Sequence, residues 1–209
     1  GAPRPVRVSC SADVAVLKPE GLPFTPREGV APGPNCRACA YRTECPDRDP
    51  RTPYAKTMPE DWARSWGRMF GAEAAAVDGY DRDQCMYLSD KDTHDHGMAI
   101  VEYDSGATAM HSECFVGSYT NRLYFVDGTR AHAESDVDRD RIVLRPRWRQ
   151  DVETYQLDPG PGGHGGADPK MCAEFIDCLL HDRRPSASGI DGAWSVAIGQ
   201  AAELARAER

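Results

Sequence analysis

Residues 97–116 read GMAIVEYDSGATAMHSECFV, and this stretch decides the fold. Two apolar segments rich in strand-favouring residues lie on either side of Asp104-Ser105-Gly106, a sequence that is typical of a tight turn. The stretch therefore predicts two consecutive strands that pair as an antiparallel hairpin.

Further strands are predicted on both sides of this hairpin. Residues 4–18 alternate apolar and polar side chains from Val6 to Ser11, which indicates a half-buried strand. Asp127-Gly128 is a second tight-turn sequence. The other predicted strands are CMYL (85–88), NRLYFVD (121–127), RAHAES (130–135), RIVLRP (141–146) and TYQLD (154–158).

Helical patterns replace the strand patterns after residue 158. Asp168-Pro169 is typical of a helix N-cap followed by a first-turn proline, and apolar side chains recur at helical spacing through 171–180. RRPSASG (183–189) ends that helix, and Ser188 can cap another. Strands followed by helices predict an α+β fold: an open, mainly antiparallel β-sheet with helices packed on one face.

A Pro/Cys-rich excursion interrupts this domain at residues 19–80. Nine prolines between 19 and 59 exclude regular elements there, while 60–78 has the spacing of a short helix. We expect one domain over 1–209, with 19–80 as an irregular insertion within it.

Composition limits the classes of partner. The 209-residue chain has a formal net charge of −8 with scattered basic residues, so no nucleic acid partner is expected. No apolar run approaches the ~20 residues of a membrane span, and a secretory leader is not apparent at the start. Eight cysteines then favour a reducing compartment, so we expect a soluble, cytoplasmic protein.

Three cysteines lie close together in NCRACAYRTECPDRD, residues 35–49. Cys36-x-x-Cys39 has the spacing with which two thiolates chelate one tetrahedral ion, and Cys45 follows. Cys85 is the candidate fourth ligand. Such a site would be a structural zinc; unligated or disulfide-forming thiols and an iron–sulfur cluster remain alternatives.

The remaining cysteines have a simpler interpretation. Cys10, Cys114, Cys172 and Cys178 are expected to fill small spaces in the core. His111 and Cys114 are three apart on one predicted strand, so they face opposite sides and do not form a nucleophilic dyad.

The loop from Gly160 to Gly165 formally satisfies G-x-G-x-x-G. A dinucleotide-binding fold needs a parallel strand after the helix that follows, whereas here a second helix follows, so we reject that interpretation. Gly163 and Gly165 instead allow an unusual backbone on both sides of His164. The loop either brings this imidazole close to a polar ligand or simply connects a strand to a helix.

The ordered set of these segments resembles the C-terminal domain of the Gfo/Idh/MocA oxidoreductases. The resemblance rests on GGHGGADPKMCAEFIDCLL (162–180), DGAWSVAIGQAAELA (191–205), CMYLSDKDTHDHGMAIVEYDSGATAMHSECF (85–115), RLYFVDGTRAHAESD (122–136) and NCRACAYRTECPDRD (35–49). It implies an upstream Rossmann domain that binds NAD or NADP in the full-length enzyme. It also implies a sugar, inositol or related polyol as substrate, and a homodimer or higher oligomer formed through the open sheet face.

By this resemblance, the loop of Gly163, His164 and Gly165 borders the substrate pocket, and Asp168 and His96 are further candidates for substrate contact. We identify no catalytic residue within the chain, because the family's nucleotide fingerprint and lysine lie upstream of the matched region. The chain alone is therefore expected to bind no NAD(P) and to be inactive. The alternatives are a non-catalytic association module and part of an NAD-dependent glycosidase of the same family.

Overall fold

The computed structural model describes residues 3–48, 76–77 and 84–208. Their contacts form two compact units, Gly1–Val116 with Ala201–Arg209, and Gly117–Gln200. The strands are β1 (Pro5–Asp13), β2 (His96–Tyr103), β3 (Thr108–Cys114), β4 (Leu123–Asp127), β5 (Ala131–Asp136), β6 (Arg141–Pro146) and β7 (Glu153–Gln156). The α-helices are α1 (Gly163–His181) and α2 (Gly189–Ala207).

The first unit contains a three-stranded antiparallel sheet in the order β1-β2-β3. The predicted hairpin is confirmed: the Gly106 amide donates to the carbonyl of Tyr103 over 2.9 Å, and Gly106 has a φ of 82°. Only glycine adopts that backbone without steric cost, so this turn fixes the β2–β3 register.

The two faces of this sheet differ in exposure. Val101 on β2 is buried, whereas Met98 and Ile100 on the other face are 49% and 44% exposed. Met110, the register partner of Ile100 on β3, is also exposed. One face of the sheet therefore carries the core, and the other presents a row of apolar side chains.

The second unit contains a four-stranded antiparallel meander in the order β4-β5-β6-β7. Val143 in β6 is its buried apolar side chain among the described residues. The predicted α+β class with open antiparallel sheets is confirmed, with the strands divided between two sheets.

The two helices begin in different ways. At α2, the Ser188 hydroxyl oxygen accepts a hydrogen bond from the Asp191 amide over 3.4 Å, and the Ser188 amide donates to the Asp191 carboxylate over 2.8 Å, so the predicted Ser188 cap is confirmed. Helix α1 begins with three residues of left-handed backbone, from His164 to Gly166, before right-handed helix continues to His181.

The cysteine segment, residues 19–48, contains two short 3-10 turns, Pro19–Gly21 and Cys36–Ala38. Tyr41 at its centre is fully buried and stacks on Phe24, with ring centroids 4.6 Å apart. The Tyr41 hydroxyl accepts a hydrogen bond from the amide of Arg27 and donates one to the carbonyl of Val30. A buried aromatic ring with a satisfied hydroxyl thus orders a segment that has little regular structure.

One prediction for this region is wrong, and another lies outside the described residues. CMYL is not a strand: the amides of Leu88 and Ser89 both bond the carbonyl of Cys85, which makes residues 85–89 a turn. The short helix predicted at 60–78 lies outside the described residues. None of the described helices is long and apolar enough to cross a membrane.

Candidate functional site

The loop before α1 has an unusual backbone. Gly162, His164, Gly165 and Gly166 have φ values of 105°, 50°, 64° and 81°. Three of these four residues are glycines, for which the left-handed region carries no steric cost. His164 is the exception, because a side chain in that region costs on the order of 1 kcal/mol.

Close packing explains two of the glycines. A Cβ atom on Gly166 would lie 2.1 Å from the carbonyl oxygen of Pro159, and one on Gly162 would lie 2.8 Å from Cγ of Pro169. Both distances are shorter than any real carbon contact, so the loop closes on itself only with glycine at these positions. The glycines therefore hold His164 in one place.

His164 itself is bonded to the start of the helix. Its Nδ1 lies 2.9 and 3.0 Å from the two carboxylate oxygens of Asp168, and the side chains are 81% and 52% exposed. Nδ1 faces the carboxylate, so the ring presents its Nε2 edge on the opposite side. The loop thus offers one oriented imidazole at an accessible position.

Asp95 in the first unit is the one buried charged side chain among the described residues, at 1% exposure. Its carboxylate accepts hydrogen bonds from the amides of Ala15, Val16 and Leu17 at 2.7–3.1 Å, and lies 2.8 Å from Nδ1 of His96. Burial alone would raise the pKa of Asp95, but these four hydrogen bonds outweigh it and hold the pKa well below its ordinary value. Asp95 is therefore an anion that anchors the chain after β1.

His96 is the first residue of β2 and is 47% exposed. Adjacent residues of a strand point to opposite faces, but Asp95 precedes the strand, so the two side chains can meet. The structure ties His96 to Asp95, and a role of His96 in substrate contact stays a prediction.

A second histidine cluster was not foreseen. His94 has a side chain only 16% exposed, with Nε2 2.5 Å from Glu113. Glu113 also lies 3.4 Å from Nε2 of His111. The hydrogen bond from His94 lowers the pKa of Glu113. Burial alone would raise this pKa, but a hydrogen bond from His111 lowers it further. No spacing in the sequence signals this pair, because its partners lie 19 residues apart on different segments.

The four cysteines of the predicted metal site line one pocket of the first unit, together with Leu22, Phe24 and Tyr87 among others. The cysteines are Cys36, Cys39, Cys45 and Cys85. The Cys39 sulfur accepts hydrogen bonds from the amides of Gly33 and Tyr41, each over 3.4 Å. The segment around Cys36 meets the segment around Cys85 because the Cys85 amide donates to the carbonyl of Pro34 over 2.8 Å.

The same pocket shapes the chemistry of its side chains. Burial is the main cause that raises the pKa of the Cys45 thiol, and nearby Cys36 and Cys85 add to it. Burial and a hydrogen bond to Asp47 raise the pKa of Tyr87. Within the residues described, however, no group of three or more His, Cys, Asp or Glu side chains is arranged to hold a metal ion. The predicted zinc is therefore not supported by the arrangement as it stands.

The other cysteines differ from their predicted role. Cys114 and Cys172 are exposed and are not core fillers, whereas Cys10 and Cys178 are half-buried. Cys114 ends β3 and Cys172 lies on α1, and the side of each element that a residue faces depends on packing that the local sequence does not specify.

No protein-family model matches the chain. In sequence it is similar to YteT of Bacillus subtilis (strain 168), a protein whose name describes an oxidoreductase, with 27% identity over 143 residues. The match covers 62% of this chain and 33% of YteT, so the chain spans about a third of the curated relative that it matches.

In structure, the chain is similar to an NAD binding oxidoreductase from Klebsiella pneumoniae. The TM-score is 0.50 at 14% identity, and the match covers 56% of this chain and 37% of that one. Levoglucosan dehydrogenase in complex with NADH and levoglucosan has a TM-score of 0.49 at 17% identity, over 56% of this chain and 37% of that one. The predicted resemblance to Gfo/Idh/MocA oxidoreductases is thus confirmed, at the level of fold.

Proposed function

We propose that the chain is the substrate-binding part of an NAD(P)-dependent oxidoreductase that acts on a sugar, inositol or related polyol. The observation that carries this proposal is the loop that holds His164. The imidazole is fixed to Asp168 on one side and exposed on the other, where its nitrogen can bond a hydroxyl group. The fold shared with an oxidoreductase supports the same assignment.

The loop suits a polyhydroxylated ligand better than an apolar one. Gly163 and Gly165 leave the backbone on both sides of His164 without side chains that would block an approach. Asp168 adds a carboxylate that is half exposed beside the ring. Imidazole and carboxylate groups are the polar contacts that orient a sugar in a site.

In this proposal, the nicotinamide cofactor, NAD or NADP, binds to a region of the longer protein that lies outside this chain. Every strand pairing in the part of the chain that the structure describes is antiparallel. A dinucleotide-binding unit uses parallel strands joined by helical crossovers. Hydride transfer also requires the cofactor to be positioned against the substrate, so we expect no turnover by the chain alone.

The test compares the chain with the longer protein that contains it. With NAD or NADP and a panel of D-glucose, myo-inositol and D-sorbitol, the longer protein should reduce the nucleotide and the chain should not. Changing His164 to Ala in the longer protein should lower kcat/KM for the best polyol at least tenfold, since a hydrogen bond to substrate is lost. Turnover by the chain itself, or no effect of the His164 change, would overturn the proposal.

Two alternatives have different results in this assay. A part of an NAD-dependent glycosidase would release nitrophenol from a nitrophenyl glycoside without net reduction of the nucleotide. A non-catalytic association module would show neither reaction and no polyol binding, although it would still self-associate.

The partner in our proposal is a second copy of the chain, bound through the exposed face of the first sheet. Met98, Ile100 and Met110 form the apolar centre of that face. At its β1–β2 end, Arg7 forms an ion pair with Glu102. An apolar centre with a polar rim is the composition of a protein interface.

A structural zinc at the four-cysteine pocket stays part of the proposal. It rests on the spacing of the cysteines in the sequence and on the presence of Cys36, Cys39, Cys45 and Cys85 around one pocket. The described arrangement does not hold an ion by itself. Metal analysis of purified protein therefore decides: about one equivalent of zinc, lost in Cys36→Ser, is expected, and less than about a tenth of an equivalent would exclude the site.

The proposed location is the cytoplasm. The chain has eight cysteines, and Cys36, Cys39, Cys45 and Cys85 line one pocket, where the proposed zinc would need them as thiolates. Cysteines that serve as thiols or metal ligands are typical of a reducing compartment. Labelling of the thiols in intact cells, with mass spectrometry of the tryptic peptides, would show them reduced.

A further inference from the structure

The carboxylate of Asp168 has a role besides substrate contact or a helix cap, because it lies against Nδ1 of His164. Both of its oxygens are within hydrogen-bond distance of that one nitrogen, at 2.9 and 3.0 Å. A carboxylate at neutral pH only accepts hydrogen bonds. The proton between the two groups therefore belongs to Nδ1 of the imidazole.

This placement selects one form of the neutral ring. When Nδ1 carries the proton, Nε2 is unprotonated and becomes a hydrogen-bond acceptor. Nε2 is also the edge that faces away from Asp168, on a side chain that is 81% exposed. The ring thus presents an acceptor, and the ligand group that an acceptor recognises is a donor such as a hydroxyl.

The backbone holds the imidazole of His164 next to the carboxylate of Asp168. His164 adopts a left-handed backbone conformation that a histidine does not favour. The close packing of Gly166 against Pro159 holds the loop in this conformation. The bond to Asp168, four residues later, joins the ring to the first turn of right-handed helix. Strain at one residue and a compensating hydrogen bond are the arrangement expected of a preorganised side chain.

We propose that Asp168 is a positioning residue, which fixes the imidazole of His164 with its proton on Nδ1 and its unprotonated Nε2 directed at a substrate hydroxyl. The inference rests on the proposed function in its choice of ligand. It goes further in assigning the protonated nitrogen and the residue that determines it.

The direct test is nitrogen-15 NMR of histidine-labelled chain at about pH 8, above the ordinary histidine pKa of ~6.5. Long-range proton–nitrogen correlations identify the protonated nitrogen of each neutral ring, and the His164→Gln variant assigns the signal. We expect His164 to carry its proton on Nδ1 in the unmodified chain. In Asp168→Ala the signal should shift toward the form protonated on Nε2.

Helix α1 offers a matched control. Asp177 is also exposed and lies 2.9 Å from Nδ1 of His181, although here the carboxylate precedes the histidine by four residues and also pairs with Arg183. Asp177→Ala removes a comparable carboxylate from the same helix and should leave the His164 signal unchanged. A His164 ring that is protonated on Nε2 in the unmodified chain, or that is the same in Asp168→Ala, would overturn the assignment.

A second measurement links the assignment to ligand binding. In the longer protein with its nucleotide, Asp168→Ala should raise KM for the best polyol about tenfold with a smaller change in kcat, since one hydrogen bond to the ground-state ligand weakens. Asp168→Glu should recover part of the loss, and Asp177→Ala should show none. If the NMR signal changes as expected but KM does not, Asp168 still positions the ring, and the substrate-binding role proposed for the loop is overturned instead.

Discussion

Asp95 shows how one residue can hold distant parts of the chain together. Its carboxylate bonds the amide of Ala15, 80 residues earlier, and those of the two residues that follow. A buried carboxylate is stable only when its oxygens are fully hydrogen-bonded. The Asp95-His96 pair therefore has a structural role, because the buried carboxylate anchors residues 15–17 and His96 also bonds it.

Asp95 should make stability depend on pH. Its pKa in the folded chain lies below the unfolded value of about 3.9. A group of this kind stabilises the fold above its unfolded pKa, and that contribution is lost as the pH falls through the folded pKa. We therefore expect the free energy of unfolding to fall progressively below about pH 4, as measured by urea unfolding at pH 7 and pH 3.

Asp95→Asn should remove most of that acid dependence and cost about 2–4 kcal/mol at pH 7, because a neutral amide replaces the charged acceptor. Asp104→Asn is the control, since Asp104 is exposed and accepts one bond from the Arg4 amide. It should change stability by less than about 0.5 kcal/mol. Equal effects of the two substitutions would show that the Asp95 network carries no special stability.

Two neighbouring glycines allow a test of the His164 loop. Gly165 and Gly166 both have positive φ, so alanine at either costs about 1–2 kcal/mol. Only at Gly166 would the added carbon meet a carbonyl oxygen, at 2.1 Å; at Gly165 the nearest atom is 3.6 Å away. Gly166→Ala should therefore destabilise the chain more than Gly165→Ala in thermal unfolding followed by circular dichroism, and equal midpoints would contradict this packing.

At the scale of elements, the cysteine segment depends on a single aromatic side chain. Tyr41 is fully buried. Its hydroxyl accepts a hydrogen bond from the amide of Arg27 over 2.6 Å and donates one to the carbonyl of Val30 over 2.8 Å. The Arg27 guanidinium also lies 4.5 Å from the centre of the ring. This one side chain therefore supplies two hydrogen bonds to backbone groups that lie outside any helix or strand.

Tyr41→Phe should cost about 1–3 kcal/mol, because it removes two part-buried hydrogen bonds, one from the Arg27 amide and one to the Val30 carbonyl. The measurement is urea unfolding, together with limited proteolysis, which should reach residues 19–48 sooner. Tyr124→Phe is the control, since Tyr124 is 55% exposed. If the two variants were equally stable, the segment would be ordered by something other than Tyr41.

The elements also show which predictions were possible from sequence. The β2–β3 hairpin and the Ser188 cap were predicted correctly, because each depends on residues within a few positions of one another. CMYL was predicted wrongly as a strand. Its apolar pattern is that of a strand, but the Cys85 amide bonds Pro34, and the residues after it turn.

For the whole molecule, self-association through the first sheet is the prediction to test. Light scattering should show a dimer of the purified chain, and Ile100→Lys should shift it toward monomer, because a buried charge without a partner is costly at an interface. Val152→Lys places the same charge on an exposed residue of the second unit and should leave the dimer intact. A monomer in the unmodified chain would exclude this face as an interface.

By itself, the sequence determined most of the described strands, the two C-terminal helices, the α+β class and the glycine-rich loop around His164. Each of these depends on periodicity, turns and caps among near neighbours in the chain. Only the tertiary structure decided that Asp95 meets residues 15–17 and that His94 meets Glu113. Those contacts depend on strand register and on loops that close over long separations, and local sequence specifies neither.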